Sequence, residues 1–120
     1  IAVLGDMLEL GKHTIPAHQD IGVLALSCAD ILVCVGLRAK FIADSAAKQM
    51  SKDNIFTFNV STDAAAKVRQ LIKEGDLILI KGSQGGRMEK IVEEIMAEPE
   101  RKRELLVRQS KKWFSKLTNN

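Results

Sequence analysis

Short apolar runs alternate with amphipathic segments along the first 97 residues of the chain. The apolar runs, which are the predicted strands, lie at residues 1–4, 31–35, 55–58 and 77–80. Three of them are almost continuously apolar, which is typical of parallel strands that helices cover on both faces. The run at 55–58, IFTF, contains a threonine and is predicted to be an edge or half-exposed strand.

Between these runs, apolar residues recur at the spacing of one helix face. Thr14 and Ser61 are suitable residues to begin helices, and Gly75 is suitable to end one. Strands that alternate with helices predict right-handed βαβ units around a parallel sheet. The predicted fold class is therefore α/β, a small Rossmann-like three-layer α/β/α sandwich with a mainly parallel sheet. The predicted helices are 14–29, 38–50, 61–75 and 86–97.

Pro99 marks the predicted end of this domain, which we place at residues 1–97. Residues 98–120 are predicted to form a separate basic tail, a C-terminal amphipathic helix. Such a helix either packs back on the domain with its basic residues in solvent, or binds a partner or nucleic acid. Its apolar side would carry Leu105, Leu106, Gln109, Trp113 and Phe114.

The net charge of +3 is unevenly distributed. Residues 98–116 contain seven Lys or Arg and three Glu, so the rest of the chain carries −1. The core therefore has no basic surface that would predict nucleic-acid binding. No apolar run approaches the roughly 20 residues of a membrane span. Without a signal peptide, and with Cys28 and Cys34 expected as reduced buried thiols, the chain is predicted to be cytoplasmic. Because it opens inside a strand, we expect a fragment.

Ligands of open parallel sheets bind beyond the carboxyl ends of the strands. The first and fourth strands are followed by the richest sets of polar residues and glycines. Asp6 is either a loop residue that bonds backbone N–H groups or a partner of Lys81 or of a ligand ammonium. His18 is either a satisfied buried histidine or a group that faces a ligand. The candidate site residues are Gly5, Asp6, His18, Lys81, Gly82, Ser83 and Arg87.

The segment KGSQGGR after the fourth strand has the features of an anion-binding turn. Its glycines let the backbone approach a ligand, Ser83 adds a donor, and Lys81 and Arg87 add positive charge. The alternative is a glycine-rich turn that only links strand to helix. The chain has no Walker lysine–threonine pair and no carboxylate pair with metal-site spacing. A receiver domain would need a phospho-accepting Asp at the third strand, where the chain offers Asn59. From the residues alone, we interpret the chain as a module that binds an anion.

The order of the motifs IAVLGDMLELG, HQDIG and GDLILIKGSQGGRMEKIVE resembles the C-terminal domain of the Mur ligases. The resemblance spans about residues 1–97 and is specific when the motifs are taken together. It is greatest to the branch that adds D-alanyl-D-alanine to UDP-N-acetylmuramoyl-tripeptide, which would give the chain a role in peptidoglycan precursor synthesis. In that family ATP phosphorylates the acceptor carboxylate, and the incoming amine displaces phosphate.

The resemblance also implies where the parts of the site lie. ATP and Mg²⁺ are held mainly by a central ATPase domain outside this chain, and the C-terminal domain closes over the cleft. Lys81, Gly82, Ser83 and Arg87 match the segment that borders the incoming substrate, and Gly5 and Asp6 face the same cleft. His18 matches a family histidine to which we assign no role. The fragment would then not be catalytic alone.

Three departures from the family pattern are visible. Gln84 replaces a common Arg, the basic tail is longer than in many relatives, and the Asn-Ala-Asn-Pro segment expected before Ile1 is outside the chain. Two further hypotheses stay open at this point. One is a stand-alone Rossmann-like module for an anionic ligand. The other is an interaction domain that acts through the Trp113 helix.

Overall fold

The computed structural model describes residues 1–115 and contains a four-stranded parallel sheet. The strand order is β3-β2-β1-β4, so the first strand pairs with both the second and the fourth. The predicted α/β class with a parallel sheet is confirmed. The strands are β1 (Ala2–Gly5), β2 (Leu32–Val35), β3 (Ile55–Phe58) and β4 (Leu79–Lys81).

Helices cover the two faces of the sheet because successive strand residues point to opposite sides. Leu32 and Cys34 pack with the first two helices, whereas Val33 and Val35 pack with the third and fourth. The domain is thus a three-layer sandwich with one apolar core on each face. The helices within residues 1–115 are α1 (Thr14–Ala25), α2 (Lys40–Ala46), α3 (Ser61–Leu71), α4 (Glu89–Ile95), α5 (Lys102–Leu105) and α6 (Lys111–Ser115).

The contact between α1 and α2 depends on Gly22. A Cβ at this position would lie 2.4 Å from the carbonyl oxygen of Ile42 and 2.7 Å from the Cβ of Ser45. The Ser45 hydroxyl donates a hydrogen bond to the carbonyl of Gln19, 2.9 Å away, across the same contact. The small residue therefore lets the two helices approach closely enough to bury this polar bond.

The prediction from the sequence is right for one of the two edge strands and wrong for the other. β3 lies at one edge of the sheet, as predicted for IFTF. β4 was predicted from its apolar run to be covered on both faces, and this prediction is wrong because β4 forms the opposite edge. Ile78 and Ile80 pack against the core that the sheet forms with α3 and α4. On the other face of the strand, Leu77 and Leu79 are 88% and 54% exposed.

The helices are shorter than their apolar periodicity predicts. α4 begins at Glu89 rather than at residue 86, since a 3-10 turn at Gln84–Gly86 and a left-handed Arg87, with φ of 48°, precede it. α3 ends at Leu71, because Ile72 is extended. Hydrophobic spacing thus gives the position of each helix but not its ends.

The tail is not the single amphipathic helix that was predicted. A 3-10 turn and α5 are followed by a break in which Arg108 has a φ of 60°, and α6 begins only afterwards. Leu105 is exposed, so the expected continuous apolar face is absent from the described part of the tail. The predicted helix from Lys116 onward and the Phe114 side chain lie outside the described residues. None of the helices in residues 1–115 is long and apolar enough to cross a membrane.

Candidate binding site at the carboxyl edge of the sheet

The loops that follow β1 and β4 are joined to each other at the carboxyl edge of the sheet. Leu4 and Lys81 are register partners, so both loops leave the sheet side by side. The Ser83 N–H donates to the Asp6 carbonyl at 2.9 Å, and the Leu8 N–H donates to the Ser83 hydroxyl, also at 2.9 Å. The two segments that were singled out from the sequence therefore form one surface.

Two glycines in these loops serve this close approach. A Cβ on Gly82 would lie 2.9 Å from the Cα of Gly5, and a Cβ on Gly5 would lie 2.9 Å from the sulfur of Met88. A side chain on Gly82 would therefore meet the Gly5 backbone and push the loops apart, whereas one on Gly5 would first displace the Met88 side chain. These contacts give Gly5 and Gly82 a structural role within the site.

Asp6 binds the loop after β2 rather than Lys81. Its carboxylate accepts hydrogen bonds from the N–H groups of Arg38, at 2.9 Å, and Ala39, at 2.7 Å. The Arg38 guanidinium lies 3.5 Å from the second carboxylate oxygen. The predicted pairing with Lys81 is therefore corrected, and the reading of Asp6 as a residue that bonds backbone N–H groups agrees with the structure. Asp6 ties a third loop to the site.

His18 is completely buried and faces protein groups. Its Nε2 accepts a hydrogen bond from the Met7 N–H at 3.0 Å, and its Nδ1 lies 2.6 Å from the Thr14 carbonyl. Both contacts are satisfied when the proton is on Nδ1. The prediction that this histidine faces a ligand is therefore corrected, since both ring nitrogens are used to hold the β1 loop on α1.

Lys81 is exposed at the end of β4, and within residues 1–115 its ammonium has no hydrogen bond or ion pair with another side chain. It lines a recess of about 580 Å³ together with Met7, Glu9 and Gly85. A flexible cation beside a turn of backbone amides can bind a carboxylate or a phosphate. Of the predicted residues, Lys81 is the one best placed to reach a ligand.

Arg87 is more enclosed than its sequence position suggests. It is only 9% exposed, and its Nε forms a buried ion pair with Glu89. Its Nη1 donates to the Trp113 carbonyl at 3.2 Å, while its Nη2 is buried and has no hydrogen-bond partner within the part of the chain that the structure describes. The side chain therefore lies between the domain and the tail.

A cleft of about 550 Å³ opens next to this surface, between the ends of β2 and β3 and the glycine-rich turn. Arg38, Arg87 and Lys90 line its wall, each paired with a carboxylate, and the first turn of α3 contributes Ser61. Asn59, at the end of β3, also lines it. The arrangement suits a ligand that has an anionic group and an apolar body.

The sequence pattern missed Lys90 as a lining residue. It lies in α4, where its spacing reads as a solvent-exposed helix position, and it pairs with Glu93 at 3.5 Å. Lys90 follows Gly86 by only four residues, about one helical turn, and this closeness to the glycine-rich turn could have identified it as a lining residue. Within residues 1–115, no group of three or more His, Cys, Asp or Glu is arranged to hold a metal ion.

A family model, curated relatives and solved structures all indicate the same family for this chain. The model for the Mur ligase, glutamate ligase domain, matches residues 1–84. The UDP-N-acetylmuramoyl-tripeptide–D-alanyl-D-alanine ligase of Bacillus subtilis is 36% identical over 98 residues, which are 81% of this chain and 21% of the relative. The enzyme of the same name from Mycobacterium leprae is 37% identical over 86 residues, 68% of this chain and 17% of the relative.

Two solved structures are similar in fold and sequence. MurF from Acinetobacter baumannii has a TM-score of 0.62 and 26% identity, over 76% of this chain and 21% of that one. MurF ligase from Thermotoga maritima in complex with ADP has a TM-score of 0.63 and 26% identity, over 84% of this chain and 22% of that one. The chain thus spans about one fifth of the length of these relatives. The predicted resemblance is confirmed, and the chain belongs to the Mur ligase family, of which it contains the C-terminal domain.

Proposed function

We propose that the chain is the cleft-closing C-terminal part of an ATP-dependent ligase that joins D-alanyl-D-alanine to UDP-N-acetylmuramoyl-tripeptide. Family membership and the names of the matched relatives support this assignment. The reaction forms an amide between the tripeptide carboxylate and the amine of the dipeptide, with ATP as the source of the activating phosphoryl group. The product would be a peptidoglycan precursor, made in the cytoplasm.

The observation that carries the proposal is the junction of the two loops at the carboxyl edge. The Ser83 hydroxyl and N–H bind the β1 loop, so the two segments of the family resemblance present one surface. Lys81 leaves this surface toward solvent, and the cleft that Arg38, Arg87 and Lys90 line lies beside it. A lobe of this shape could cover a second domain and contribute cations to the anionic ligands held there.

Each candidate residue has a role in this proposal. Lys81 reaches the carboxylate of the dipeptide or a phosphate of the nucleotide. Gly5, Gly82 and Ser83 allow the loops to meet, and Asp6 and His18 hold them to α2 and α1. Arg87 borders the same cleft, where its guanidinium is paired with Glu89.

ATP and Mg²⁺ are assigned mainly to the central ATPase domain, which is not part of this chain. The ADP complex of the Thermotoga maritima relative supports nucleotide binding in the family. The described residues offer no metal-ligand cluster, so we derive no step of the reaction through Mg²⁺ within this chain. On closure, the C-terminal part would exclude water from the acyl phosphate and orient the amine.

Phosphate release tests the proposal directly. The ligase that contains this chain should release phosphate only when ATP, UDP-N-acetylmuramoyl-tripeptide and D-alanyl-D-alanine are all present, and mass spectrometry should detect the pentapeptide product. The isolated 120-residue chain should give no product above background. Turnover by the isolated chain would contradict its assignment as a closing part. Lack of product from the whole ligase would contradict the substrates.

A further inference from the structure

The tail contacts Arg87 in a way that the family resemblance does not explain. The Arg87 Nη1 donates to the Trp113 carbonyl, and the Arg87 guanidinium lies 5.8 Å from the centroid of the Trp113 ring. The Arg108 guanidinium lies 5.5 Å from the same centroid. One indole thus interacts with two arginines, one from the domain and one from the tail.

We propose that residues 106–113, named here the strap, form a retractable cover over Arg87. Two nitrogens of Arg87 are bound in the covered state, one by Glu89 and one by the strap. A ligand carboxylate or phosphate that needs the fork of this guanidinium must compete with those contacts. The strap therefore opposes anion binding at Arg87, and anion binding opposes the strap.

The covered state leaves one nitrogen of Arg87 unsatisfied. Its Nη2 is buried and has no hydrogen-bond partner among the described residues. A buried donor without a partner carries a desolvation cost that a bound anion would remove. The unsatisfied nitrogen therefore favours exchange of the strap for an anionic ligand.

The strap is also weakly held along its own length. The helix before it, α5, has four residues, and α6, which shares residues 111–113 with it, has five, so both are too short to be stable alone. Val107 is 63% exposed, and Arg108 has a left-handed backbone, which is unfavourable for a residue with a side chain.

The rate of chemical modification measures how accessible the Arg87 guanidinium is beneath the strap. In the 120-residue chain, reaction of Arg87 with p-hydroxyphenylglyoxal, followed by peptide mass spectrometry, should accelerate about tenfold in Trp113→Ala, because the strap then opens freely. Exposed Arg69 provides the internal reference rate. Trp113→Phe, which keeps a ring over Arg87, and Leu105→Ala, which changes an exposed tail residue, should react like the wild type. An unchanged Arg87 rate in Trp113→Ala would overturn the proposal.

Hydrogen exchange decides whether the cover opens in the wild type. Amides of the strap should exchange about a hundredfold faster than those of β1 and β2, since local opening is expected to cost much less than global unfolding. Exchange as slow as that of these strands would mean that the tail is a fixed part of the fold, and would contradict a retractable strap.

Two probes test the ligand, whose identity rests on the proposed function. Trp113 is the only tryptophan in the sequence, so its emission reports the strap. Binding of ADP or of D-alanyl-D-alanine, detected by calorimetry, should shift this emission to the red and increase quenching by acrylamide. A probe that binds without either change would contradict competition with the strap. If neither probe binds the 120-residue chain, exchange of the strap for these anions is contradicted. The proposed function is tested separately by product formation in the whole ligase, because it assigns the nucleotide mainly to the central ATPase domain.

Discussion

Ser83 is the residue that connects the two loops of the candidate site. Its hydroxyl accepts a hydrogen bond from the Leu8 N–H, which is partly buried. Ser83→Ala should lower the free energy of unfolding by about 1–3 kcal/mol, because the donor loses its partner. Urea denaturation provides the measurement. Ser27→Ala, which changes an exposed serine in the turn that follows α1, should stay within about 0.5 kcal/mol of the wild type. Equal effects of the two substitutions would show that the loop junction adds no stability.

The thiol of Cys34 makes stability dependent on alkaline pH. Burial, the largest influence, raises the pKa of this thiol from 9.0 to about 12. Below pH 9 the thiol is protonated in both states. Above pH 9 the unfolded chain loses this proton and the folded chain keeps it. Stability should therefore fall by up to about 1.4 kcal/mol per pH unit between pH 9 and 12.

Thermal unfolding across this pH range, compared with Cys34→Ala, isolates the thiol. The variant should lose stability less steeply, although it is less stable at neutral pH because a buried side chain is shortened. Parallel pH profiles would contradict the raised pKa. Cys28 is exposed, which corrects the expectation that both thiols are buried.

At the residue scale, the sequence predicted which side chains lie at the carboxyl edge of the sheet. It did not predict the hydrogen-bond partners of those side chains. Asp6 contacts residues 32 and 33 positions further along the chain, and no local pattern specifies such a pairing. The sequence left two roles open for His18, a satisfied buried histidine as the default and a ligand-facing group as the alternative. Its role became clear only when the fold placed the Met7 N–H against its ring. Lys81 could be predicted, because a lysine that ends an apolar strand must reach water or a partner.

At the scale of elements, the α1–α2 contact offers a sharp test. Gly22→Ala improves helix propensity by about 1 kcal/mol, but the added Cβ meets a backbone oxygen that cannot easily move. We expect a net loss of about 1–2 kcal/mol, since overpacking commonly costs more than this gain. Thermal melting followed by circular dichroism would measure it.

Gly86→Ala is the matched control for this substitution, because its added Cβ would have no neighbour closer than 3.8 Å. It should leave the melting temperature almost unchanged. If Gly22→Ala proved as stable as Gly86→Ala, the close packing of α1 on α2 would not be needed for the fold.

The strands and helices could be predicted in type and order because their periodicities are strong. The exposed face of β4 could not be predicted, because an apolar run does not show whether a parallel strand is central or lies at an edge. That property depends on which strands pair, and β4 pairs only with β1 within the described residues. The prediction of one continuous tail helix was wrong for another reason. Its apolar spacing fits a helix, but Arg108 adopts a backbone that interrupts one.

At the scale of the whole molecule, the division between residues 1–97 and the tail remains a prediction. The described tail is attached through an ion pair of Lys102 with Glu93, whose pKa is lowered chiefly by that hydrogen bond, and through Trp113. A chain that ends at Ala97 should still melt cooperatively, with a melting temperature a few degrees lower, about the effect of 1 kcal/mol in a domain of this size. Calorimetry would reveal this, and a broad transition without a heat-absorption peak would place the tail within the core.

The central claim is that this chain supplies cations to a ligase cleft, and Lys81 tests it most directly. In the whole ligase, Lys81→Ala should lower kcat/KM by about 10–100-fold, the value of a charged hydrogen bond, without changing the melting temperature. Lys48→Ala, on an exposed lysine after α2, should keep the wild-type rate. A wild-type kcat/KM in Lys81→Ala would contradict the account.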